Sequence, residues 1–514
     1  MEIVSQNENL VTEFLLIVKL FFTDKEIEKS DMKISHSYLL NESQIISKIV
    51  FNNNKFAIRT TKIDSNTDIA KTIKHNGRIL LYNELSKLTK KSFPWGSLTG
   101  IRPTKLYYEL LEMKDENYAL RSLIKNYKVS KKRAELLKEI IYNQKPYIEK
   151  YKKTDFSRGS INAVDNYATL PFHEQKRKIK NSLEVVYPIR NIEDKSLEMG
   201  GNIDLYINIP FCTTKCYYCS FISQPLDKCG GLVEPYLKAL RKEINATIEF
   251  IKHKNYKIKN IYVGGGTPTA ISAEELNDVL KVIPCESGEF TVECGRPDTI
   301  TKEKLDVLKK YNVNRISINP QTFNDETLKK IGRNHTSEDV INAINLARNY
   351  SFKINMDLIA GLADEKIEDF KNSLKKTISL QPENITVHTL SIKKSSQLKN
   401  EGGAVSKLEE VEKMVNYSID ILRNHDYKPY YLYRQKNTLG NFENIGYFKS
   451  DYVCKFNINS MEECSSVIAC GANAISKRVY KTTYKIERYA NMRDIKEYIS
   501  RIEEIIVKKH KLFD

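Results

Sequence analysis

From Ile203 onward, short apolar runs alternate with longer stretches in which apolar residues recur every three or four positions. That alternation predicts strands followed by helices. The runs Asp204–Ile209, Asn260–Val263, Glu289–Glu293, Arg315–Asn319, Lys353–Leu358 and Asn384–Thr389 predict six strands, each followed by a helical stretch or a loop. Six β/α repeats in one direction imply a parallel sheet, either a barrel or an open doubly wound one. In both, chemistry gathers at the carboxyl ends of the strands.

The first 154 residues follow another pattern. Alternating apolar positions in Glu13 to Phe21, Gln44 to Phe51 and Lys55 to Thr60 predict a small sheet. Leu106, Leu110 and Leu111, then Ala134, Leu137 and Ile141, predict helices, with Ser130 as an N-cap. After Lys407, the spacing of Val411, Val415, Ile419 and Leu422 predicts a long helix, followed by an irregular aromatic stretch from Tyr427 to Asn437. The division expected is an N-terminal α+β extension of unknown role over 1–154, a linker and lead-in over 155–200, the β/α domain over 201–400, and a C-terminal α/β extension on the substrate side over 401–514.

Composition narrows the class. Of 514 residues, 41% are hydrophobic and 29% charged, which excludes a wholly disordered chain. The longest apolar stretch, Leu10 to Phe22, is broken by Glu13 and Lys19 and is too short to cross a bilayer, so no membrane span is expected. The opening residues lack the basic start and small-residue cleavage site of a signal peptide, and a cytoplasmic location is expected. Lys and Arg number 82 against 65 Asp and Glu, a net charge of +17, which favours a polyanionic partner: nucleic acid, anionic lipid or a small polycarboxylate. Ten of those cations lie between Lys125 and Lys153 beside three Glu, a run read as a solvated helix face with an anion-facing surface as the alternative.

Three of the nine cysteines stand within eight positions, Cys212-Thr213-Thr214-Lys215-Cys216-Tyr217-Tyr218-Cys219, just past the first β/α strand. Thiolates so spaced can wrap one face of an iron–sulfur cube and leave one iron open. A closed zinc site wants four ligands, and neither a nearby Cys-x-x-Cys nor a His pair supplies the fourth; Cys229 would serve only if the loop folded back. Gly264-Gly265-Gly266-Thr267 follows the second strand, where the absence of Cβ atoms permits close backbone approach, and Ser272 with Glu275 forms a capping box. Glu293, Gln321 and Asp357 stand at successive strand ends, and Arg333 follows a short helix.

The cysteine spacing, and Tyr206-Ile207-Asn208-Ile209-Pro210-Phe211 leading into it, resemble the radical S-adenosylmethionine (SAM) superfamily. The resemblance implies a partial (β/α)6 TIM-type barrel and a [4Fe–4S] cluster on Cys212, Cys216 and Cys219, with SAM on the open iron. The order of strand-end residues is similar to that of coproporphyrinogen III oxidase-like members. It implies that Gly264, Gly265, Gly266 and Thr267 lie at the methionyl amino group, and that Glu293, Gln321 and Asp357 bind SAM, the last two at the ribose, with Ile359 beside them. Arg333 is implied as a SAM carboxylate partner, and Tyr206 and Tyr218 as aromatics near the sulfonium and adenine.

Phe93-Pro94-Trp95-Gly96-Ser97-Leu98-Thr99-Gly100, Cys294-Gly295-Arg296-Pro297-Asp298, Ile318-Asn319-Pro320-Gln321-Thr322 and Tyr431-Leu432-Tyr433-Arg434-Gln435-Lys436-Asn437 resemble the long, HemZ-like form of the oxygen-independent coproporphyrinogen III oxidase family. This likeness implies oxidative decarboxylation of two propionates of a tetracarboxylate porphyrinogen to vinyl groups, with an electron donor and acceptor yet to be identified. Arg102, Arg434 and Lys436 are the basic residues expected near such a substrate. The chain has Ser220-Phe221 where decarboxylating members carry a cysteine, and Asn208 where they carry a histidine. These departures keep open a haem-binding chaperone that retains the cluster. RNA modification, motivated by the basic run, is the third reading, with no RNA-recognition signature behind it.

Overall fold

The computed structural model describes residues 1–52, 55–64, 67–100, 102–152, 201–219, 223–284, 288–391, 406–435, 438–480 and 485–514. The expected linker over 155–200 and Lys436 lie outside them. Contacts divide the described residues into two units, one of 1–100 with 110–135 and one of 102–109 with 136–152 and 201–514.

The first unit is a four-stranded sheet in the order β1 (Glu2–Ser5), β2 (Lys33–Leu40), β3 (Gln44–Phe51), β4 (Lys55–Lys62). Helices α1 (Asn9–Phe21) and α3 (Ile69–Thr89) pack against it, with the short α2 (Asp24–Lys29) between them in the chain. The strand expected over Glu13 to Phe21 is instead α1. Its apolar run is nearly continuous and so carries no clear period; burial of Leu10, Phe14, Ile17, Val18 and Phe21 at helical spacing decides the conformation. These side chains meet Ile34, Ile45 and Ile49 of the sheet and Leu81 and Leu85 of α3 in one core.

The second unit is built on an eleven-stranded sheet. Strands β5 (Asn202–Ile209), β8 (Lys257–Gly265), β9 (Glu289–Glu293), β10 (Arg315–Ser317), β11 (Lys353–Ala360) and β12 (Asn384–Thr389) lie side by side in chain order, all parallel. Between β5 and β8 fall the short pair β6 (Phe211–Cys212) and β7 (Gln224–Pro225). Helices Val233–His253, Ala273–Leu280, Lys302–Lys310, Ser337–Arg348 and Ile367–Ser379 supply the crossovers. This is the partial (β/α)6 arrangement. The capping box of Ser272 and Glu275 opens the second of these helices. Leu205, Ile207, Val263, Val292, Ile316 and Ile354, all buried, form the centre of the core beneath those helices.

The aromatic stretch expected to be irregular is strand β13 (Lys428–Arg434), which pairs antiparallel with β14 (Glu443–Phe448) beyond β12. Beyond β5, at the other edge, β15 (Ser466–Cys470) runs parallel to it and continues into the antiparallel β16 (Ile475–Val479) and β17 (Ile486–Ala490). A fully buried ion pair ties these parts together: Lys509 Nζ lies 2.8 Å from Glu243 Oε1. Glu243 also accepts from the Tyr498 hydroxyl at 2.6 Å and the Gly471 amide at 2.7 Å. In helix Lys131–Lys152, Ala134, Leu137 and Ile141 are buried, while Lys131, Lys138 and Lys145 face solvent.

Candidate active site

The chain leaves β5 at Pro210 and turns across the carboxyl end of the sheet, so the cysteine loop is fixed by backbone bonds before any ligand is considered. The Gly266 and Thr267 amides donate to Ile209 O and Phe211 O at 2.9 and 2.7 Å, and the Tyr217 amide donates to Ile331 O at 3.1 Å. Cys219 N closes a turn onto Cys216 O at 3.0 Å. Cys212 and Cys216 are buried and Cys219 half-buried, and all three line one cavity of about 340 Å³. Burial pushes the Cys212 thiol up, opposed by hydrogen bonds from Thr267 and Ser223. Cys229 is not among the residues lining that cavity and donates to Pro225 O at 3.0 Å.

Four strand ends, those of β8 to β11, supply part of the wall. Gly265 takes a φ of +113°, and a Cβ there would overlap Asn208 Oδ1; a Cβ at Gly264 would lie 2.7 Å from Glu293 Oε2. Gly265, Gly266 and Thr267 line the cavity; Gly264 is not among its lining residues. Glu293 accepts from the Tyr262 hydroxyl at 2.5 Å, and burial, with the Asp357 charge, raises its carboxyl from 4.5 to about 7. Gln321 sits in the left-handed region at φ +66°, where its amide donates to Asp357 O at 2.9 Å and its carbonyl accepts from Ile359 N at 3.0 Å. A non-glycine residue held there stores backbone strain, a common feature of functional sites. Its side-chain Oε1 is buried without a partner.

Arg333 is buried, with Nη1 donating to Asn319 O at 2.6 Å, while its Nε has no partner. Tyr218 and Ile359 line the cavity and pack with Leu362 and Leu390. Tyr206 stands one layer back: its ring stacks on Tyr262 at 6.2 Å and its hydroxyl donates to Asn208 at 3.2 Å. Arg102 and Arg434 are not brought to the cavity. Arg102 pairs with Glu463, and Arg434 is buried with Nε donating to Asn441 O at 3.3 Å.

Several cavity residues escaped the reading of strand ends, His388 and Arg296 among them. His388 on β12 stands 3.5 Å from Asp357 Oδ2 through Nε2 and 3.4 Å from the Tyr433 hydroxyl through Nδ1. Its place one residue from the carboxyl end of a barrel strand was the available signal. Arg296, in the loop after β9, reaches the Cys216 sulfur.

These residues fit a cluster with SAM. The thiols sit together on one loop. Among the described residues no three His, Cys, Asp or Glu side chains stand close enough to share a single metal ion, whereas an iron–sulfur cube takes its thiolates at separate irons. The unpartnered Gln321 Oε1 is an acceptor suited to a hydroxyl, and the unpartnered Arg333 Nε is a donor suited to a carboxylate.

Among the described residues no helix is long and apolar enough to cross a membrane. Comparison with known proteins matches residues 206–377 to the radical SAM superfamily. The chain is 37% identical over 454 residues to the oxygen-independent coproporphyrinogen-III oxidase-like protein HemZ of Bacillus subtilis (strain 168), spanning 86% of this chain and 82% of HemZ. It is 38% identical over 197 residues to the heme chaperone HemW of the same organism, spanning 36% of this chain and 49% of HemW. Coproporphyrinogen III oxidase (HemN) from Escherichia coli, a solved radical SAM enzyme, aligns with a TM-score of 0.48 and 21% identity over 60% of this chain and 70% of that one. The chain belongs to the radical SAM superfamily, which uses a [4Fe–4S] cluster and SAM, and within it to the family of the HemZ oxygen-independent coproporphyrinogen-III oxidase-like protein.

Proposed function

We propose that Cys212, Cys216 and Cys219 hold the cluster, that SAM lies across the ends of β8 to β11, and that the protein oxidatively decarboxylates two propionates of coproporphyrinogen III to vinyl groups. One observation carries the reading: three thiols of one loop and the side chains of Glu293, Gln321, Arg333 and Asp357 line a single cavity. When bound, the cluster and SAM would supply the one-electron chemistry that removes hydrogen from the propionate β-carbon, with CO2 released and one electron passed to an external acceptor to leave the vinyl group.

The chain's own residues do the positioning. Gln321 Oε1 and the Asp357 carboxylate accept from the ribose hydroxyls. The Arg333 guanidinium pairs with the SAM carboxylate. Tyr218 covers the adenine, and Tyr206, through its stack on Tyr262, sets the wall beside the sulfonium. Tyr431 and Tyr433, stacked 6.4 Å apart, and Met461 line the same cavity.

Incubating reconstituted protein anoxically with coproporphyrinogen III, SAM, a reductant and an electron acceptor, followed by mass analysis, tests this. Loss of two CO2 per molecule supports it. The match to HemW, together with Ser220-Phe221 in place of a further cysteine, favours a second reading: a haem-binding chaperone that retains the cluster. Intact porphyrinogen with tight haem binding in the same experiment selects that reading.

A further inference from the structure

Arg296 is 2% exposed in the loop that follows β9. Its Nη1 donates to Thr214 O at 3.3 Å and lies 3.5 Å from the Cys216 sulfur. Its Nε pairs with Asp298 Oδ1 at 3.3 Å, and Asp298 Oδ2 in turn accepts from the Thr213 hydroxyl at 3.0 Å. Two side chains from one short turn thus grip the cysteine loop at Thr213, Thr214 and Cys216. The remaining guanidinium nitrogen, Nη2, is buried without a partner in the same cavity wall. None of the SAM contacts proposed above uses this arginine.

We propose that Arg296 is a positioning residue that orients Cys216 and raises the reduction potential of the cluster. The inference rests on the assignment of Cys212, Cys216 and Cys219 as the cluster ligands. Reduction adds an electron to an already anionic cluster–thiolate assembly. A buried cation whose N–H points at a ligand sulfur stabilises that added charge, and hydrogen bonds to sulfur, net charge and exposure are among the terms that set such potentials. The fork geometry matters as well as the charge: one arm holds the backbone carbonyl while the same nitrogen reaches the sulfur, and the Asp298 bond stops the guanidinium from rotating away.

The test is a redox titration of the anoxically reconstituted full chain, followed by the electron paramagnetic resonance of the reduced cluster, with no substrate present. At the potential where the wild type is half reduced, Arg296→Gln should show a reduced-to-oxidised ratio about tenfold lower, equivalent to about 59 mV for one electron. Arg296→Lys, which keeps the charge but not the fork, should fall between the wild type and Arg296→Gln. A fully loaded Arg296→Gln protein with an unchanged potential overturns the proposal, as does a Lys variant shifted as far as the Gln one. If Arg296→Gln takes up no iron, the Lys variant decides alone; if neither loads, Arg296 is a structural part of the loop and the proposal falls. Wild-type protein that never takes up four irons would instead refute the ligand assignment beneath it.

Discussion

The carboxylate of Asp357 and the imidazole of His388 meet across neighbouring strands, Oδ2 to Nε2 at 3.5 Å, in the wall of the cavity. Burial pushes the Asp357 carboxyl up, and His388, with Asn355 and Thr386, more than reverses this, so the group stays below its usual range. His388→Ala should weaken SAM binding about three- to tenfold, on the order of 1 kcal/mol for a partly exposed hydrogen bond to a carboxylate. His388→Gln, which keeps a donor, should recover part of it. Calorimetry on loaded protein reads both, and an unchanged affinity in the Ala variant would separate His388 from the SAM site.

Cys216→Ala should remove the broad brown absorption of the reconstituted protein and all reductive SAM cleavage, while the far-ultraviolet dichroism stays that of the wild type. A variant that still cleaves SAM would disprove the ligand assignment.

Glu365, 3% exposed, accepts from the Thr322 hydroxyl at 2.5 Å, and burial raises its carboxyl from 4.5 to about 7. A carboxyl with a folded pKa above its unfolded one contributes stability that is fully present below pH 4.5 and is lost as the pH rises through about 7. Glu365→Gln lacks this dependence. Its stability relative to the wild type should therefore improve by a few kcal/mol between about pH 5 and pH 8, at about 1.4 kcal/mol per pKa unit. Urea unfolding at the two pH values measures the difference; an identical difference at both would contradict the assignment.

Lys509→Met leaves Glu243 charged and without its cation in a site with no solvent access. The cost should be about 3–5 kcal/mol, and the double variant Lys509→Met with Glu243→Gln should regain much of it. Denaturant midpoints decide; a single variant as stable as the wild type would mean that the pair is neutralised in the fold.

Much of the site was legible in the sequence because its signals are local. The cysteine spacing, the glycine run and the strand-end polar residues are each set by a few consecutive positions, and Glu289–Glu293 and Asn384–Thr389 begin and end where the apolar runs do. What stayed hidden depends on partners far along the chain. Whether Arg102 faces a substrate or Glu463 is a matter of 360 intervening positions that no local pattern encodes. Charge gave Arg296 no distinction among 82 cations until its guanidinium could be seen against Cys216. The helix α1 was missed for a different reason: a run that is apolar on nearly every position has no period to read.

Strand β5, which delivers the chain to the thiols, is flanked by β8 on one side and by β15 on the other, through partners such as Leu205 with Ile468 and Ile207 with Cys470. During synthesis, therefore, the strand beneath the cysteine loop has only one neighbour until residue 470 has left the ribosome exit tunnel. The floor beneath the cysteine loop is therefore finished only when β15 has paired, and a chain that stops short of Ser466 would leave β5 with an open edge there.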